Sequence, residues 1–149
     1  MRAVVQRVTS ARIIVDGTVA GQIGPGLMVL LAVGRADDAA TAAALAEKIV
    51  HLRIFNDAEG KMNRSLLDSG GALLAASQFT LYGDARGGRR PSFIQAAPPE
   101  LGKALYEEFL RAVAGLSVHV ETGVFQTHMS VEIVNDGPVT ILLDSDKLF

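Results

Sequence analysis

Two short runs hold the groups best suited to chemistry. In Ser77-Gln78-Phe79-Thr80-Leu81 a hydroxyl, an amide and a second hydroxyl follow an apolar run that starts at Ala72. Ligands meet α/β sheets at strand ends, so these polar groups either form a site or satisfy neighbouring backbone. In Asn135-Asp136-Gly137-Pro138-Val139-Thr140 the glycine lets a ligand approach the main chain and the proline removes a donor, which leaves carbonyl oxygens as the exposed chemistry. Such a loop accepts hydrogen bonds without a reactive side chain; as a plain turn it would close a hairpin. A third feature, Arg86, Arg89 and Arg90 beside Gly87 and Gly88, is either a grip for phosphates or a solvated loop.

The common catalytic patterns are missing. No Gly-x-Ser-x-Gly elbow occurs, there is no cysteine to act as nucleophile or thiolate ligand, and His51, His119 and His128 lie far apart in sequence. His119 and Glu121, two apart on a strand, are the nearest approach to metal-ligand spacing and read better as a surface pair. Gly24-Pro25-Gly26 lacks the Lys-Ser/Thr of a phosphate loop, and Asp57 with Glu59 lacks the ligand ladder of a calcium loop. Glu107 and Glu108 are explained by ion pairs with Lys103 and Arg111 along a helix.

A scaffold must hold these runs. Alternating and β-branched residues predict strands over 3–8 and 11–15, and Asp16-Gly17 before a third run, 18–23, is a hairpin signal. After Gly24-Pro25-Gly26, residues 27–33 are continuously apolar, as expected of a strand covered on both faces. Asp37 and Asp38 can cap a helix in which Leu45, Ile49 and Leu52 recur at helical spacing. Asn56 to Gly60 reads as a turn and 72–79 as a second buried strand. Pro98-Pro99-Glu100 opens a second amphipathic helix through Leu101, Leu105, Phe109 and Val113, with Gly115 placed to end it. Strands over 117–121, 129–134 and 139–143 follow. The expected fold is α/β, a single domain over residues 1–149, layered α/β/β with mixed and antiparallel strands and two main helices.

Composition sets the outer limits. A chain of 149 residues, 49% hydrophobic and 20% charged, has the length of one domain and the apolar content to bury a core. Its formal charge of -2 gathers no polyanion by itself, so any contact with nucleic acid must be local. The longest apolar stretch, 26–34, is about half of what a spanning helix needs, and the first residues lack a signal-peptide core. We expect a soluble, cytoplasmic protein that does not engage a membrane.

The two runs together resemble the signature of the D-aminoacyl-tRNA deacylases, Ser-Gln-x-x-Leu in one motif and Asn-x-Gly-Pro-Val-Thr in the other. Gln6-Arg7-Val8, Arg53-Ile54-Phe55, residues 57–63 and Arg90-Pro91-Ser92-Phe93 extend the resemblance over nearly the whole chain. It implies a homodimer that hydrolyses the ester joining a D-amino acid to the tRNA 3′ end, without a cofactor. It also implies a cis Gly137-Pro138 bond that projects into the partner's pocket near Ser77 and Gln78, with Phe93 and Met129 helping to form that pocket. On this reading the carbonyl oxygens of Gly137 and Pro138 accept hydrogen bonds from the substrate ammonium and the stiff backbone fills the space an L side chain needs. Glycine would then also be accepted. Backbone N–H groups around Gln78 and Phe79 are candidates to hold the oxyanion, with the ribose 2′-hydroxyl assisting; Thr80 is the rival, as a nucleophile with no evident base. The clearest departure is after Phe125, where relatives carry small residues and this chain has Gln126 and Thr127. A non-catalytic RNA-binding dimer, and a small-ester hydrolase using Ser77 or Thr80, remain as alternatives.

Overall fold

β-Branched and apolar residues keep the chain extended from Arg2 to Val15, and this single strand, β1, organises the sheet. The computed structural model describes residues 1–149. In it, the runs expected as two strands over 3–8 and 11–15 are one strand whose neighbour changes halfway. Residues 11–15 pair with β2 (Thr18–Ile23), and residues 2–8 pair with β3 (Gly26–Ala32), both antiparallel. The hairpin between β1 and β2 turns on Asp16 (φ 49°) and Gly17 (φ 77°), the two positive φ values that a tight two-residue hairpin needs.

The chain then crosses the sheet. Helix α1 (Ala39–Val50) is capped by Asp38, whose side chain accepts from Thr41 N–H at 2.8 Å. Asp37, the other expected cap, instead accepts from Gly34 N–H and from the Met1 ammonium, each at 2.6 Å. A two-stranded ribbon follows, β4 (Phe55–Asn56) and β5 (Met62–Arg64), then the single-turn helix α2 (Leu66–Ser69). Strand β6 (Ala72–Ser77) lies parallel to β3, and after helix α3 (Pro99–Gly115) strand β7 (Val120–Thr122) lies parallel to β6. The last strand, β8 (Ser130–Asp144), runs antiparallel along the other edge of β1. Strand directions are mixed, as expected of this α/β fold, and α1 and α3 are the two main helices.

One sheet face buries Val5, Leu27, Val29 and Leu31 against Leu45 and Ile49 of α1 and Leu105, Phe109 and Val113 of α3. Leu45, Ile49, Leu105, Phe109 and Val113 of the expected apolar spacing are buried, whereas Leu101 is half-buried and Leu52 lies beyond the end of α1, also half-buried. On the other face Ile13, Met28 and Leu74 form a smaller core with Met129, Val131 and Ile133 packed on it. The sheet curls enough for β2 to meet β7: a Cβ on Gly21 would lie 2.7 Å from the Thr122 carbonyl oxygen, so no larger residue fits there. No helix is long and apolar enough to cross a membrane.

Three local expectations are corrected. The strand expected over 72–79 stops at Ser77, and Phe79–Tyr82 form a 3-10 turn. The strand expected over 117–121 begins only at Val120 and runs to Thr122, while α3 ends on Gly115 as expected, with the positive φ on Ser117 (64°). Residues 129–134 and 139–143 are not two arms of a hairpin, because both pair with β1 as parts of β8.

Candidate active site

Where β6 emerges from the sheet, Ser77, Gln78 and Phe79 form one wall of a cleft of about 600 Å³. Phe93 and Met129 stand on other walls, and the floor is closed by the start of α3 at Pro99 and Gly102 and by Phe125. Phe79 and Phe93 meet edge to face with ring centroids 5.2 Å apart, although Phe79 is 56% exposed. The cleft thus brings together Ser77, Gln78, Phe79, Phe93 and Met129 from the sequence reading. Gln126 and Thr127, the departures noted above, also line it, and Gln126 holds φ 59°.

The polar groups at the strand end are partly committed. Gln78 N–H donates to the Leu31 carbonyl at 2.7 Å, which removes it from the free donors expected around Gln78 and Phe79. Phe79 and Thr80 N–H, first in the 3-10 turn, carry no hydrogen bond within the protein, as the start of a helical turn leaves them. The Gln78 side-chain amide donates to Thr80 Oγ1. Thr80 is exposed, lies outside the cleft lining and has no basic side chain hydrogen-bonded to it.

The charge of the cleft is informative. No Asp or Glu lines it; its ionisable side chains are Arg35 and His128. Behind it, Tyr106 donates to the Ala75 carbonyl (2.9 Å) and lies 2.6 Å from Thr122 Oγ1, tying α3 to β6 and β7. Burial pushes the Tyr106 phenol up to about 12, against a smaller opposing effect of the Thr122 hydrogen bond.

Gly137 and Pro138 are absent from this cleft and stand on β8 as a protrusion. Gln6 pairs with Thr140 and Val8 with Asn135, so residues 136–139 are extra chain opposite Arg7. The Gly137–Pro138 bond is cis, Gly137 has φ 128°, and both residues are exposed. Asn135 braces the base: its Oδ1 accepts from Val139 N–H at 2.8 Å and its Nδ2 donates to Thr140 Oγ1 at 3.2 Å. The second brace is Arg7, 7% exposed, whose guanidinium donates to the Ile54 carbonyl at 2.6 Å and pairs with Asp136 Oδ2 at 3.0 Å.

No role was read for Arg7 from the sequence, though a signal was present. With period two it falls on the same face as Ala3 and Val5, both buried, and a charge on an inward face needs a built partner.

The arginine-rich loop lies outside the cleft. Arg86 makes paired bonds to Asp84 (2.9 and 2.6 Å), and these hold the Asp84 carboxyl well below the usual carboxylate range. Arg86 is therefore neutralised locally, whereas Arg89 and Arg90 form no ion pair. His119 pairs with Glu121 at 3.0 Å, exposed, and Glu107 and Glu108 pair with Lys103 and Arg111 on the solvent face of α3.

With this geometry in hand, comparison with known proteins gives a consistent result. The family model described as D-Tyr-tRNA(Tyr) deacylase matches residues 4–144. A D-aminoacyl-tRNA deacylase of Symbiobacterium thermophilum is 63% identical over 149 residues, covering 100% of this chain and 99% of the relative. One from Fervidobacterium nodosum is 62% identical, with both chains covered completely. A solved structure described as c-Myc DNA Unwinding Element Binding Protein superposes with a TM-score of 0.91 at 38% identity, over 97% of this chain and 98% of that one.

Proposed function

Because the chain belongs to the D-Tyr-tRNA(Tyr) deacylase family, we propose that it hydrolyses the ester of D-aminoacyl-tRNA, releasing the D-amino acid and free tRNA as a proofreading step in the cytoplasm. The observation that carries the mechanism is the lack of any carboxylate in the cleft. An aminoacyl ester presents an ammonium beside the bond to be broken, and a buried ammonium needs acceptors. The Gly137 and Pro138 carbonyl oxygens are such acceptors, on a braced protrusion outside the chain's own cleft.

In a homodimer the protrusion of one subunit enters the cleft of the other. The ammonium is held by its carbonyl oxygens, the ester lies toward Ser77 and Phe79, and the backbone of Gly137 and Pro138 occupies the position of an L side chain. Chirality is read by exclusion, which suits a substrate class whose side chains vary. Glycine has nothing to exclude, and its ester is cleaved too.

The chemistry needs little more than placement. An aminoacyl ester is already activated, so a positioned water and stabilisation of the developing oxyanion suffice. Phe79 N–H is the free donor on the cleft wall for that oxygen, and the vicinal ribose 2′-hydroxyl of the substrate relays the proton. Phe93 and Met129 shape the pocket, and Arg89 and Arg90 meet tRNA phosphates, with Arg86 a lesser contributor because Asp84 already neutralises it.

The decisive experiment incubates the purified protein with D-Tyr-tRNA, L-Tyr-tRNA and Gly-tRNA and measures released amino acid. We expect rapid release from the D form, measurable release from Gly-tRNA and protection of the L form. Equal hydrolysis of the D and L forms sinks the exclusion mechanism. A second reading, nucleic-acid binding without catalysis, is favoured only by the description of the 38% identical structure; binding of all three tRNAs with no release would establish it.

A further inference from the structure

The formal charge of -2 leaves open which cations could meet the substrate's phosphates. Among the fourteen Lys and Arg residues, six are paired with carboxylates: Arg2, Arg7, Arg12, Arg86, Lys103 and Arg111. Of the unpaired remainder, Arg35 alone stands on the wall of the cleft.

Its position is built rather than incidental. Residues 33–35 lie against 95–97: Ala97 N–H donates to the Val33 carbonyl (2.9 Å), Gly34 bridges Ala96, and Arg35 N–H donates to the Gln95 carbonyl (3.2 Å). The Arg35 Nε–H donates to the Ile94 carbonyl. That bond anchors the guanidinium at Ile94, the residue after Phe93, whose ring meets the ring of Phe79 at the start of the 3-10 turn. The two Nη groups of Arg35 have no protein acceptor, and the side chain is exposed. A fixed planar fork with its outer donors unused is suited to two oxygens of one phosphate.

We propose that Arg35 binds the phosphodiester on the 5′ side of the terminal nucleoside, and so anchors the tRNA end whose ester lies against Phe79. The inference rests on the ester-hydrolase reading and adds a contact to it. In an aminoacyl-tRNA this phosphate is one ribose away from the ester, and it is the charged group nearest to the reacting bond other than the ammonium. The ammonium and the phosphate then meet different parts of the site, main-chain oxygens for one and Arg35 for the other.

The test uses two minimal substrates, 3′-O-D-tyrosyl-adenosine and the same compound with a 5′-phosphate, with full-length D-Tyr-tRNA as the positive control. Wild-type protein should show a KM roughly tenfold lower for the phosphorylated compound, as a charge-assisted hydrogen bond at a partly exposed site gives. Arg35→Gln should remove that difference while leaving the phosphate-free compound unaffected, and Arg35→Lys should keep part of it. No preference in the wild type, or a preference that survives in Arg35→Gln, overturns the proposal. Equal loss on both compounds also overturns it, because Arg35 would then serve only to hold residues 93–97. If the wild type releases nothing from D-Tyr-tRNA, the hydrolase reading fails first and this contact fails with it.

Discussion

Two residues at the site carry opposite lessons. Thr80 has the right functional group for a nucleophile, yet its hydroxyl is exposed, hydrogen-bonded by Gln78 and outside the cleft. The oxyanion proposal uses the neighbouring Phe79 N–H, which a substitution at Thr80 leaves in place. Thr80→Val should therefore change turnover of D-Tyr-tRNA by less than about tenfold, whereas a loss beyond about a thousandfold would return the hydroxyl to the chemistry. Arg7 has no reactive role, yet its buried guanidinium joins the protrusion on β8 to the chain at Ile54. The pairing is needed because an unpaired charge on an inward strand face is costly.

At the scale of the element, β8 is one strand with four residues in its middle opposite the single residue Arg7 of β1. The Asn-Asp-Gly-Pro run has the composition of a reverse turn, but the partner of both flanks is β1, long enough to pair with 130–135 and 140–144 in succession. The chain therefore bulges where its local chemistry suggested that it reverse. Gly137 occupies the tightest point: an added Cβ would lie 2.8 Å from Val139 Cγ2 and 3.2 Å from Arg7 Nη2, at a φ of 128° that L residues rarely adopt. Gly137→Ala should destabilise the protein by about 1–3 kcal/mol, seen as a Tm lower by several degrees. An unchanged Tm would mean that the protrusion is not pinned between Arg7 and Val139 as described.

At the scale of the whole molecule, no carboxylate lines the cleft to meet an ammonium, and the carbonyl oxygens of Gly137 and Pro138 stand elsewhere on the same chain. Two copies resolve this if each lends its protrusion to the other. Co-expressing Gly137→Ala with Ala97→Trp, which fills the cleft, tests the arrangement. Each variant alone should be weakly active or inactive, and mixed dimers should recover activity, since one intact cleft then faces one intact protrusion. Mixed dimers as inactive as their parents would place the protrusion's action within its own chain.

The amino-acid sequence by itself determined what is governed by near neighbours: the Asp16-Gly17 hairpin, the buried faces of α1 and α3, the apolar runs that became β3 and β6, and the residue content of both motifs. Turn geometry and periodic burial act over a few residues, so they are legible there. The tertiary structure decided the rest: that Gln78 N–H is spent on Leu31, that Arg86 is neutralised while Arg35 faces the cleft, and that β8 bulges instead of turning. Arg7 shows the physical reason, because its partners lie 47 and 129 residues away. Which groups remain free for a ligand depends on which distant strand edge or loop has already claimed the others, and no local pattern records that.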